Sequence, residues 1–196
     1  MRTGIVPFIL FAAAFGLSGC SSKESVLVKP AGVTQQSAAD IQKRQLQVLS
    51  LRRKVVSLLE KKNYLQAIEL MNGRNHEGVE KEYVLALNGL LEVGDDALSQ
   101  GDFAAAARSF KAVLDAHPAD HSARERLRHD PKQIRSNLEI CTNRLMEQGI
   151  EEYRRGRLES AIRTWKVVLS ISPGHQQATK SIDTATIQLK ALQNLK

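Results

Sequence analysis

Several kinds of chemistry have no foothold in this chain. It contains no Gly-rich loop ending in Gly-Lys-Ser/Thr, no dinucleotide fingerprint and no Gly-x-Ser-x-Gly elbow, so neither a phosphate cradle nor a hydrolase nucleophile is visible. From Asp40 onward no strand pattern competes with the helical one, and Gly101, Pro118, Gly156 and Pro173 fall at breaks between helical patterns. Long apolar runs are missing too. The uncharged run at residues 5–17 is well short of the roughly 20 residues that a membrane-spanning helix needs. Cysteine is scarce, with Cys20 and Cys141 as the two. What is there is 196 residues, 42% hydrophobic and 25% charged, the balance and length of one ordinary globular domain and not of a disordered chain.

Residues that could carry chemistry stand at unhelpful spacings. His76, Glu77, Gly78, Val79 and Glu80 begin like a zinc-protease helix, but Glu80 stands where a second histidine must supply a ligand; a turn ahead of a helix is expected instead. His117 and His121 are separated by Pro118, which breaks the shared helix face a metal would need, and His129 lies further on. The pairs Asp95, Asp96 and Glu151, Glu152 are adjacent, so on a helix they diverge and cannot flank one substrate bond. Cys141 falls on an apolar stripe and reads as a buried thiol, not a nucleophile. No catalytic residue, metal, cofactor or small-molecule substrate is expected. The chain reads as a binding protein and not an enzyme.

The amino terminus is set aside before any fold is considered. Arg2 followed by the apolar run 5–17 has the layout of a secretory signal. Leu17, Ser18, Gly19 and Cys20 resemble the lipobox of bacterial lipoproteins at all four positions. That resemblance implies a signal peptide at 1–19, cleavage before Cys20, and diacylglycerol on its thiol with further acylation such as palmitate. Two or more acyl chains hold stably, since each buried methylene contributes about 0.8 kcal/mol. Ser21, not Asp, follows the cysteine, which in two-membrane families resembles the outer-membrane sorting pattern. With Cys20 lipidated, Cys141 has no partner for an intramolecular disulfide. A formal charge of +7 would ordinarily invite a nucleic-acid reading, but export argues against it. Residues 20–39, rich in Ser, Gln and Ala, are expected to form a flexible tether, leaving a helical domain at 40–196.

The most informative pattern is internal. Gly94, Gly101, Ala106, Phe110 and Pro118 recur 55 residues later as Gly149, Gly156, Ala161, Trp165 and Pro173. The apolar stripe Phe103, Ala106, Ala107, Phe110, Val113 and Leu114 repeats as Leu158, Ala161, Ile162, Trp165, Val168 and Leu169, in steps of three and four that share one helix face. A weaker copy, Tyr64, Ala67, Ile68 and Met71, lies 39 residues upstream of the first. The blocks 87–120 and 142–175 resemble tetratricopeptide (TPR) repeats. Small residues Gly94, Ala106, Gly149 and Ala161, the large Phe110 and Trp165, and the closing Pro118 and Pro173 fill that family's pattern. Leu90, Leu145, Ala97 and Glu152 depart from it, where aromatic residues are usual.

The resemblance implies an all-α fold of antiparallel helix pairs stacked as a short superhelix, with helices near 40–60, 64–72, 78–100, 103–116, 131–155 and 158–170. A terminal helix at 176–195 would cap the stack, with Ile182, Ala185, Leu189 and Leu192 inward. The offset of 55 exceeds the family's 34-residue period, so something is inserted near 120–128. Asp130 and Pro131 then supply a helix-start signal. Such families bind protein partners along helix A, which by register gives Asn88, Leu91, Asp95, Leu98 and Ser99, then Asn143, Met146, Ile150, Tyr153 and Arg154. Arg124, Arg126, Arg128, Lys132 and Arg135, joined by Arg154, Arg155 and Arg157, form a basic cluster. It is either a solvated face or an attraction for acidic partners, such as anionic lipid, cell-wall material or an acidic protein. The expectation is a lipid-anchored scaffold facing the periplasm, most naturally on the outer membrane, that binds protein partners in an envelope or secretion structure.

Overall fold

The computed structural model describes residues 38–72 and 78–194. Among these residues the structure is all helical, with no strand: α1 (Ala38–Glu60), α2 (Tyr64–Asn72), α3 (Glu80–Ser99), α4 (Phe103–Asp115), α5 (His121–Glu125), α6 (Pro131–Arg154), α7 (Leu158–Ile171) and α8 (Gln176–Gln193). Every expected helix is present. The helix α1 begins at Ala38 and so takes in residues expected in the tether. The signal, Cys20 and the rest of the tether lie outside the described residues, as do His76 and Glu77.

Local chemistry explains where the helices start. Asp102, Asp120 and Asp130 each accept a backbone N–H from the residue three further on, the first-turn donors of α4, α5 and α6. Pro131 sits at the first position of α6, where its missing N–H costs nothing. At α8 the imidazole Nδ1 of His175 takes the same role for Ala178, at 3.1 Å.

The helix ends repeat as closely as the sequence does. After α3, Gly101 adopts φ +77, its N–H reaches the carbonyl of Leu98, and the N–H of Asp102 reaches that of Ala97. After α6, Gly156 adopts φ +72 and Gly156 and Arg157 make the equivalent bonds to Tyr153 and Glu152. Both are Schellman endings, which need a left-handed residue that glycine supplies without steric cost. The same ending closes α1, where Lys62 (φ +56) and Asn63 bond to Leu59 and Leu58. Lysine stands there at the position glycine holds in the other two.

Three tight turns therefore make three hairpins, α1 with α2, α3 with α4 and α6 with α7, and neighbouring hairpins meet through α2 on α3 and α4 on α6. Inside the second hairpin a Cβ on Gly94 would come within 2.8 Å of the Phe110 ring, and in the third a Cβ on Gly149 would overlap the Trp165 indole. Each glycine is thus the hollow that receives its aromatic partner. In the first hairpin the corresponding residues, Val55 and Met71, are both fully buried. A larger residue replaces glycine there and a slimmer, unbranched one replaces the ring, so volume is roughly conserved.

Between hairpins, Gly89 of α3 provides a further hollow for the Tyr64 ring of α2. Arg52 of α1 donates to the buried Glu82 of α3 at 2.6 Å. At the other end α8 packs on α7, burying Ala178 and Ala185 and partly burying Ile182. The expected inward placement of Leu192 does not hold, since it is 48% exposed. With 18 residues, α8 outruns the 14 of α7, so its last turn has no helix to lie on.

Candidate functional site

The insert between α4 and α6 is the departure from the repeated plan, and it is tied down residue by residue. Tyr83 of α3 donates its hydroxyl to the carbonyl of Ala116, a buried bond of 2.6 Å that fixes where the chain leaves α4. Asp120 caps α5 and accepts from the Ser122 hydroxyl, and these bonds hold its carboxyl below the usual range. Arg126 turns its Nε back onto the Ser122 carbonyl, and Leu127 lies half-buried against the core.

Segment 126–129 then runs along one face of α3. Asn88, Glu92 and Asp95 stand four and three residues apart, so a single helix face presents them in a row. The Asn88 amide donates to the Arg126 carbonyl at 2.9 Å and accepts the Arg128 N–H at 2.8 Å. Next along, Glu92 pairs with the Arg128 guanidinium at 3.0 Å. Then Asp95 meets His129 Nε2 with both carboxylate oxygens, at 2.8 and 3.0 Å. One amide grips the backbone of the segment and two carboxylates meet the Arg128 and His129 side chains.

The expected partner-binding residues accordingly divide. Asn88 and Asp95 engage the insert. Leu91 and Met146, offered by register as contact residues, are instead buried core side chains, because they fall on the stripe that faces the partner helices. Leu98 and Ile150 are partly buried against the core, and the Ser99 hydroxyl donates to the Asp96 carbonyl. Asn143 lines a cleft with Arg135, Glu139 and Thr142 of α6, Lys111 and Asp115 of α4, and His175. Tyr153 lines a second depression with Ile150, Trp165, and Lys180 and Thr184 of α8, its ring 6.0 Å from that of Trp165. Arg154 is exposed.

The basic cluster is smaller than its sequence. Arg126 and Arg128 are committed to the insert and to α3, and Arg155 and Arg157 pair with Glu151 and Glu152. Arg124, Lys132 and Arg135 are exposed, with no ion pair among the described residues. His117 lies beneath this group with its Nε2 buried and unbonded. Burial, with the charges of Arg124 and Arg135, holds its imidazole below the ordinary histidine value against an opposing backbone hydrogen bond at Pro118.

The three histidines of the region do different things: His129 meets Asp95, His121 faces Glu125 at 3.4 Å, and His117 is half-buried with its Nε2 covered. Among the described residues no group of three or more His, Cys, Asp or Glu side chains is placed to hold a metal ion. Cys141 is fully buried, and burial pushes its thiol up to about 11, far from a reactive thiolate. No helix of the described residues is long and apolar enough to cross a membrane.

One contact of this site and one of the fold have no signal in the sequence. The Asn88 clamp and the buried Glu82 both act across 30 or more residues, beyond the reach of any local motif. Comparison with protein-family models, with curated proteins and with solved structures finds no match to this chain.

Proposed function

We propose that the chain is a lipid-anchored envelope protein, built as a short TPR-like stack, that binds other proteins and carries out no reaction of its own. The observation that supports it best is the repeated hairpin, with Gly94 receiving Phe110, Gly149 receiving Trp165, and the same Schellman ending after both first helices. Stacked pairs of this kind leave long helix faces free to hold a partner segment. The lipobox-like residues 17–20 place the anchor at Cys20, and Ser21 favours the outer membrane with the body facing the periplasm. Crosslinking in native membranes followed by purification of the full chain tests this reading. A protein recovered reproducibly, and lost when exposed residues of α3 or α6 are changed, supports it; recovery of lipid and no protein counts against it.

A second reading has its own observation. Arg124, Lys132 and Arg135 form an exposed cationic group without carboxylate partners among the described residues, suited to anionic headgroups or cell-wall polymer. Replacing all three with Gln removes flotation of the unlipidated chain with phosphatidylglycerol vesicles in this reading. Unchanged flotation disposes of it.

A further inference from the structure

We propose that the Asn88, Glu92 and Asp95 face of α3 is a peptide-binding strip whose resident occupant is the chain's own segment 126–129, and that an extended basic segment of a partner protein displaces it. This rests on the protein-binding reading and names the surface and the ligand chemistry for it.

The contacts are those a peptide site makes. Asn88 bonds a carbonyl and an N–H two residues apart on the same chain, through the two ends of one side-chain amide. That grip recognises backbone and ignores sequence. Sequence enters through the two carboxylates, which select basic side chains two and three residues beyond the gripped carbonyl, here Arg128 and His129. The complementarity is one-sided: the strip contributes acid and amide, the segment contributes base.

The occupant is also held in a way that allows exchange. The Asn88 bonds and the Arg128 to Glu92 pair lie at the exposed surface, where water competes for each partner. The buried anchors of the insert, Ala123 on one side and Ile134 on the other, lie outside 126–129; within it Leu127 is half-buried against the core and His129 is part-buried beside Asp95. Lifting the segment from α3 uncovers Leu127 and parts His129 from Asp95, while both buried ends stay seated. A partner with the same spacing of backbone and positive charge meets a strip already shaped for it.

The test uses a fluorescein-labelled peptide with the sequence of residues 122–131 and the full chain carrying Arg128→Ser and His129→Ser, which removes the two side chains that meet Glu92 and Asp95 and leaves the strip intact. The opened variant binds the peptide saturably, at least tenfold more tightly than the unaltered chain, and Glu92→Gln with Asp95→Asn in that background abolishes binding. No binding by the opened variant with its helix content intact, or binding indifferent to the two carboxylates, overturns the proposal. Should the opened variant fail to fold, hydrogen exchange on the unaltered chain decides. The Arg128 amide exchanges at least a hundredfold faster than the core amides of α3 if the segment lifts locally, and at their rate if it opens only with the whole domain, which also overturns it. The peptide assay needs no envelope partner, so its failure is distinct from a failure to recover one from membranes.

Discussion

At Gly149 one added methyl group has nowhere to go, because the Trp165 indole fills the space a Cβ would take. Trp165 cannot retreat, being buried with its indole N–H on the Met146 carbonyl. Gly149→Ala should cost about 1–3 kcal/mol, as overpacking of a close-packed core does. Combining it with Trp165→Leu should recover part of that cost, and a double-mutant cycle by urea unfolding would show the coupling; strictly additive effects would place the damage in the backbone and not in the ring. His117 carries a different liability. Its imidazole is held below the ordinary value of about 6.5 by burial and by Arg124, so the unfolded chain takes up this proton more readily than the folded one. Its share of stability is therefore complete above about pH 6.5 and declines as pH falls toward the lowered folded value. His117→Leu should flatten the drop in melting temperature between pH 7 and pH 5.5, and an unaltered slope would assign that drop to other groups. Gly149 and Trp165 were visible in the sequence because a constant offset pairs them with Gly94 and Phe110. The burial of the His117 Nε2 was not, since it depends on tertiary packing that no local spacing encodes.

Turns and inserts were legible to different degrees for a physical reason. Gly101 and Gly156 announce left-handed helix endings because glycine accepts positive φ freely, and the helix boundaries near them fall where the pattern puts them. Lys62 makes the same ending without that signal, at φ +56, against the side-chain crowding that glycine escapes. Lys62→Gly should then stabilise the domain by about 0.5–1 kcal/mol, the relief of left-handed strain exceeding the extra chain entropy that glycine loses on folding. A raised midpoint in thermal unfolding checks it; a lowered one would mean that the lysine stem contributes packing worth more than the strain. The insert was legible only as an excess of residues over a repeat, with Asp130 as the cap at its far border. Its seat on α3 depends on Asn88 reaching backbone groups 38 and 40 residues away, and no pattern of spacing encodes such a contact. For the same reason five clustered cations read as one patch, although two of them are held by the fold.

Across the whole molecule, the proposed anchoring at Cys20 is separable from the folding of the described body. The first buried side chain of the described body is Leu51, well beyond Cys20, and the packing that runs from α1 to α8 is built from residues after it. Cys20→Ala should thus change where the protein resides without changing what it is. Labelled palmitate should no longer enter the product, and the chain should move from the membrane fraction to the soluble one, because an acyl anchor holds by the burial of its methylenes and no helix of the described residues spans a bilayer in its place. Helix content and melting temperature of the released body should match those of the anchored protein. Two results would separate the parts of this picture. Unchanged palmitate labelling would move the lipid to another residue. Lost labelling with undiminished membrane association would leave the lipid at Cys20 and shift the holding force to the protein itself, with Arg124, Lys132 and Arg135 as the groups to change next.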